Sequence, residues 1–254
     1  TNIYALQTIQ TFHADWGAEY FDHFRRYELE PMLRRKLRAV DSLTAVSTAS
    51  AEPIAEAVGS CKIIHNFPPQ RKNVGTGSVK KDHLSIVALT RATAEKGIHR
   101  LAEFANKLTA DGINATVEVY TPSQASIPKP LIYRPATLDT HAILANADYL
   151  IQLSDTESFC YSAAEALSVG TPIIIGNWRI NDEFFKFPRD GFVVDDVKTF
   201  DTKQLLPKRR VSTYALGGRQ DAIVENWESL IADNRHKRVW GYVLKDFVGI
   251  DEGF

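Results

Sequence analysis

Residues 149–176, YLIQLSDTESFCYSAAEALSVGTPIIIG, decide the reading of this chain. An apolar run, YLIQL, gives way to a polar stretch, then to small residues at helical spacing, and then to a second apolar run, TPIII. That order is strand, helix, strand, and a helical crossover leaves its two strands parallel. Ser154 stands three residues before Glu157, the spacing of a capping box, and predicts a helix starting there. Gly170 followed by Pro172 predicts its end. Glu157 and Glu165 bracket this helix roughly two turns apart, so they cannot act as one acid/base pair. Separate roles at the two ends of a ligand suit them better.

The same alternation extends on both sides. Upstream lie the strand HLSIVALT, a helix from Lys96 to Leu108, the strands ATVEVY and LIYRP, and the helix LDTHAILANA. Ile98, Leu101, Ala102, Ala105 and Leu108 share one helical face. Downstream come the short strand GFVVD and two helices, QDAIVENWESLIAD and HKRVWGYVLKDF. Regular alternation predicts a parallel sheet covered by helices on both faces. The front of the chain predicts the strand IYALQTIQTF, a long helix over about 18–40 that Pro31 bends or divides, the strand SLTAVS, the short helix PIAEAV and the strand CKIIHNF. Polar, Gly- and Pro-bearing residues separate the halves. The expected division is a first lobe over 1–70, a linker over 71–83, a second α/β domain over 84–235, and a last helix over 236–254 packing back on the first lobe.

The chain has 254 residues, a formal net charge of −1 and 24% charged residues, which gives no global basic field for nucleic acid. No apolar run reaches the length of a membrane span. The first residues, TNIYALQTIQ, lack the pattern of a signal peptide, and two cysteines point to a reducing compartment. A cytoplasmic location is the expectation. The arginines and lysine of helix 25–38 offer a peripheral contact with the inner membrane face, against the plainer reading of a solvated basic face.

Ligands of open α/β sheets bind at the carboxyl ends of strands. Arg91 and Lys96 follow the strand LSIVAL across a turn and can both aim at one anion; a solvated basic turn is the plain alternative. A carboxylate accepts from two neighbouring hydroxyls, such as those of a ribose. Glu165, among Ala163, Ala164, Ala166 and Leu167, is suited to that.

Here a resemblance becomes specific. ESFCYSAAEALSVGTPIII resembles the E-x7-E signature of retaining GT-B glycosyltransferases, above all glycosyltransferase family 4. TRATAEKGIHRLAEFANKL resembles that family's R-x4-KG segment. GFVVD, Glu183 in INDEFF, and SLTAVSTAS followed by CKIIHNFPP resemble further family elements in the right order. The resemblance implies an α/β, GT-B-like fold: a Rossmann-type donor domain preceded by an incomplete first α/β lobe, so that the chain is a fragment, a shortened form, or completed from elsewhere. It implies transfer of a sugar, with retention, from a nucleotide-sugar, with UDP the commonest nucleotide, to an unidentified glycan, lipid or protein acceptor. No metal or other cofactor is implied. Arg91 and Lys96 would hold the diphosphate and Glu165 the ribose. Glu157 would touch the donor sugar's hydroxyls and the N–H groups of Phe159 and Cys160 would face the β-phosphate, with Ser158 among the donor-binding residues. Tyr133 and Arg134 would lie at the base, and His13 would face the sugar from the first lobe. A non-catalytic GT-B-like assembly protein is the alternative.

Two departures stand out. Thr90 occupies a position often held by Gly, and Cys160 one often held by Gly or Pro. A thiol at a helix N-terminus predicts a lowered pKa and ready alkylation. The G-x-G of VGTGSVK reads as linker, because Lys80 replaces the third Gly of a dinucleotide fingerprint. No H-x3-H pair and no D-x-D occurs.

Overall fold

The computed structural model describes residues 9–12, 30–38, 40, 42–66, 82–206, 210–211 and 217–235. His13, residues 18–29 of the expected long helix, nearly all of the expected linker and the expected last helix over 236–254 lie outside them.

The first lobe holds a parallel sheet in the order β1 (Ile9–Phe12), β2 (Ser42–Ala45), β3 (Lys62–Ile63). Its helices are α1 (Glu30–Arg38) and α2 (Thr48–Val58). Pro31 is the second residue of α1, in the first turn, where its missing N–H leaves no bond unmade. Helix α2 starts five residues before the expected PIAEAV. Ser47 caps it by accepting from the Ser50 N–H, which leaves Pro53 inside the helix. Leu37, Ala45, Ala51, Ile54 and Ala57 form this lobe's small core.

The second lobe is one parallel sheet in the order β6-β5-β4-β7-β8-β9. Its strands are β4 (Leu84–Leu89), β5 (Ala115–Thr121), β6 (Ile132–Pro135), β7 (Tyr149–Gln152), β8 (Ile173–Gly176) and β9 (Gly191–Val194). With it go the helices α3 (Ile98–Ala110), α4 (Thr140–Asn146), α5 (Tyr161–Ser168) and α6 (Asn181–Phe184) and a 3-10 turn over Thr202–Leu205, and α7 (Gly217–Arg235) follows later in the chain.

Apolar residues cover both faces of the central strands, as a doubly covered parallel sheet requires. Leu84, Ile86, Val119, Tyr149 and Ile151 join one cluster with the inner face of α3, where all five expected residues are buried together with Phe104. Burying a side chain such as Leu101 or Phe104 stabilises by about 1.5–3 kcal/mol. Val87, Leu150, Ile173 and Ile175 point the other way, toward Leu144 of α4 and the alanines of α5. This second cluster also takes in Val46 and Ala49 of the first lobe, so the two lobes share apolar packing. Ile64, just after β3, packs with Ile223 and Leu230 of α7. Among the described residues, no helix is long and apolar enough to cross a membrane.

Candidate functional site

At the centre of the second sheet β4 and β7 lie side by side, and the strand order runs outward from them in opposite directions. Helices leaving such a switch point diverge and open a crevice at the strands' carboxyl ends. Residues 90–97 leave β4 for α3, and residues 153–160 leave β7 for α5.

The two loops are laced together. Gly97 has φ +71, and a Cβ there would stand 1.9 Å from the Leu153 carbonyl oxygen. Glycine alone permits both that backbone angle and that approach. Arg100 Nε donates to the same carbonyl at 2.7 Å, and Arg100 Nη2 pairs with Asp155 Oδ1 at 2.6 Å. The Asp155 N–H donates to the Glu95 carbonyl at 2.9 Å.

This docking brings the two acid- and base-bearing segments into contact. Lys96 Nζ donates to Glu157 Oε1 at 2.6 Å, with the side chains only 23% and 13% exposed. A carboxylate so withdrawn from water needs a partner. Ser154 Oγ donates to the same oxygen at 2.7 Å. Ser154 itself accepts from Gln152 Nε2, which also donates to Thr90 Oγ1, both at 3.1 Å. Ser154 therefore does not cap a helix. The helix begins only at Tyr161, because residues 153–157 are committed to contacts with the loop after β4.

Arg91 is exposed and pairs with Glu95 at 3.6 Å. Glu165 is half-buried on α5, and no described side chain pairs with its carboxylate. Ser158 is half-buried, and Phe159 is buried edge-on against Tyr161 and Phe184. Tyr133 and Arg134 lie on the edge strand β6, where Arg134 Nη2 pairs with Glu118 Oε1 at 2.6 Å.

Cys160 corrects the expectation of a reactive thiol. It is buried, and burial, followed by the charge of Glu157, pushes its pKa up to about 12. Its φ of +62 is the left-handed conformation that Gly adopts freely and that a residue with a Cβ adopts only at a cost.

Glu183 ties α6 to the first lobe. Its Oε1 and Oε2 accept from the Thr48 N–H at the start of α2, at 3.1 and 3.0 Å, and Oε1 meets His65 Nε2 at 2.7 Å. Burial works to raise its pKa, but the hydrogen bonds from His65 and Thr48 outweigh burial and leave it lowered. Arg179 adds an ion pair to Glu52 of α2. Sequence reasoning missed these partners, and it missed Gln152, although one amide in the apolar run YLIQL was visible. Among the described residues, no group of three His, Cys, Asp or Glu side chains gathers.

Residues 132–203 match the family model described as glycosyl transferases group 1. No curated protein matches the chain. Among solved structures, TarM aligns with a TM-score of 0.56 at 14% identity, over 93% of this chain and 47% of that one. Sucrose-phosphate synthase from Thermosynechococcus elongatus aligns with a TM-score of 0.68 at 15% identity, over 92% and 69%. Anabaena Alr3699/HepE, solved with UDP and glucose, aligns with a TM-score of 0.67 at 14% identity, over 89% and 71%.

The fold is GT-B. The chain spans about half the length of TarM. Within the GT-B fold, the matched segment runs from β6 through α5 and β9, so it takes in Glu157 and Glu165 but begins after Arg91 and Lys96.

Proposed function

We propose that this chain provides the donor-binding part of a glycosyltransferase, one that moves a sugar from a nucleotide-sugar to an acceptor with retention and without a metal ion. The observation that carries the reading is the Lys96–Glu157 pair in the switch-point crevice. A cation and an acceptor-only carboxylate, each satisfied by the other, are what a diphosphate and a sugar's hydroxyls would exchange into. The solved complex of Anabaena HepE with UDP and glucose, on the same fold, supports a nucleotide-sugar as the ligand class.

In this reading Lys96 turns from Glu157 to the diphosphate, joined by Arg91 from its exposed position on the same loop. Their charges balance the leaving phosphate, the role a metal ion would otherwise fill. The N–H groups of Phe159 and Cys160, ahead of α5, face the same anion. Glu157 then accepts from the sugar hydroxyls, Glu165 accepts from the ribose hydroxyls, and Ser158 lies beside the sugar. Tyr133 and Arg134 flank the base, and His13 faces the sugar from the first lobe. Retention follows if the bond from the sugar's anomeric carbon to the phosphate breaks while the acceptor oxygen bonds that carbon on the same face. The acceptor's proton passes to the leaving phosphate oxygen. The acceptor is a glycan, lipid or protein hydroxyl. Titration of the chain with UDP and with uridine in EDTA tests the reading, using Lys96→Ala and Glu165→Ala as the informative variants.

A further inference from the structure

Gln152 closes a strand whose other members, Tyr149, Leu150 and Ile151, are large and fully buried, the Tyr149 hydroxyl satisfied by the Leu205 carbonyl. It is itself only 3% exposed, and its Oε1 has no hydrogen-bond partner among the described residues. An apolar side chain would sit there at less cost, so packing alone does not account for the amide.

Its amide nitrogen does have an evident task. Both Nε2 protons are used, one on Thr90 Oγ1 and one on Ser154 Oγ, and the Ser154 proton goes on to Glu157 Oε1. The direction of this chain is forced. An ionised carboxylate only accepts, so Ser154 must donate to it and has to accept from Gln152. Gln152 must therefore present its NH2 group. Thr90, the departure from glycine at the end of β4, accepts the second proton of that NH2 group and so tethers the amide.

We propose that Gln152 is a positioning residue. Anchored on Thr90, it orients the Ser154 hydroxyl, which holds the Glu157 carboxylate in place for the donor sugar once Lys96 has turned to the diphosphate. This rests on the donor-site reading above. Glu157 has two described partners, Lys96 and Ser154. When the first leaves, the second fixes the carboxylate's direction, so the relay matters most with a sugar present.

The test is Gln152→Met, which keeps the length of the side chain and removes the amide. Calorimetric titration in EDTA compares UDP-glucose with UDP. The expected result is a loss of about tenfold for UDP-glucose, the worth of one charge-assisted hydrogen bond, with UDP little changed. A purely structural role would weaken both alike, and equal losses overturn the proposal. A second readout needs no ligand. In urea unfolding of Gln152→Met, Glu157→Gln and the double variant, the relay predicts coupling of about threefold or more in the folding equilibrium constant. Additive effects overturn it. If the wild-type chain binds neither ligand, the donor-site reading fails and the sugar-positioning role falls with it; the cycle then still decides whether Gln152 acts on Glu157.

Discussion

Replacing Gly97 with alanine tests whether the crevice is built by the docking of two loops. Two costs follow from the geometry. Alanine at φ +71 pays the left-handed backbone penalty, about 1–2 kcal/mol. Its Cβ, 1.9 Å from the Leu153 carbonyl oxygen, cannot be accommodated without separating the loops, because the obstructing atom is backbone. Separation breaks the bonds from Arg100 Nε to Leu153 and from the Asp155 N–H to Glu95. These are worth about 1 kcal/mol each, giving a total near 3–4 kcal/mol. Against a typical stability of about 5–15 kcal/mol that is a large loss. Gly112 supplies the control, since its φ is +73 but a Cβ there meets nothing within 4 Å. Gly112→Ala should pay the backbone term alone. Urea unfolding followed by circular dichroism should show Gly97→Ala about 2 kcal/mol less stable than Gly112→Ala. Equal losses in the two variants would refute the claim that the loops are locked at this contact.

Two further outcomes follow from the titratable groups. Cys160, with its pKa near 12, should resist alkylation by iodoacetamide at pH 8 in the folded protein and react only on unfolding; labelling of native Cys160 at the rate of a free thiol would contradict its burial. Glu183, whose folded pKa is lowered, contributes stability that is present above the ordinary glutamate value of about 4.3 and is lost as pH falls through the lower folded value. Glu183→Gln should therefore reduce stability at neutral pH and flatten the acid limb of the stability profile, and an unchanged acid limb would show that the link to His65 and Thr48 contributes little.

Much of the second lobe was legible because its signals are local. The face of α3 could be read from spacing alone, and the buried central strands are continuous apolar runs. The start of α5 was misread for a physical reason. Ser154 and Glu157 do have the spacing of a capping box, and they do hydrogen-bond, side chain to side chain. What decides the helix start is the contact of residues 153–155 with the loop bearing Gly97, far away in sequence. The error at Cys160 is of the same kind, because a helix N-terminus lowers a thiol's pKa only where burial does not outweigh it. Nothing in the strings INDEFF and CKIIHNF says that Glu183 and His65 meet. That contact belongs to the packing of one lobe on the other.

The measurement closest to the central claim is calorimetric titration with UDP and with uridine in EDTA, for the wild-type chain, Lys96→Ala and Glu165→Ala. A diphosphate seated in the crevice predicts that wild type binds UDP. Lys96→Ala should then lose roughly 10- to 100-fold for UDP while changing uridine little, because the lost contact is a charge-assisted bond to phosphate. Glu165→Ala should weaken both, since both carry the ribose. Binding of neither ligand by the wild-type chain, or equal losses for UDP and uridine in Lys96→Ala, would contradict the account.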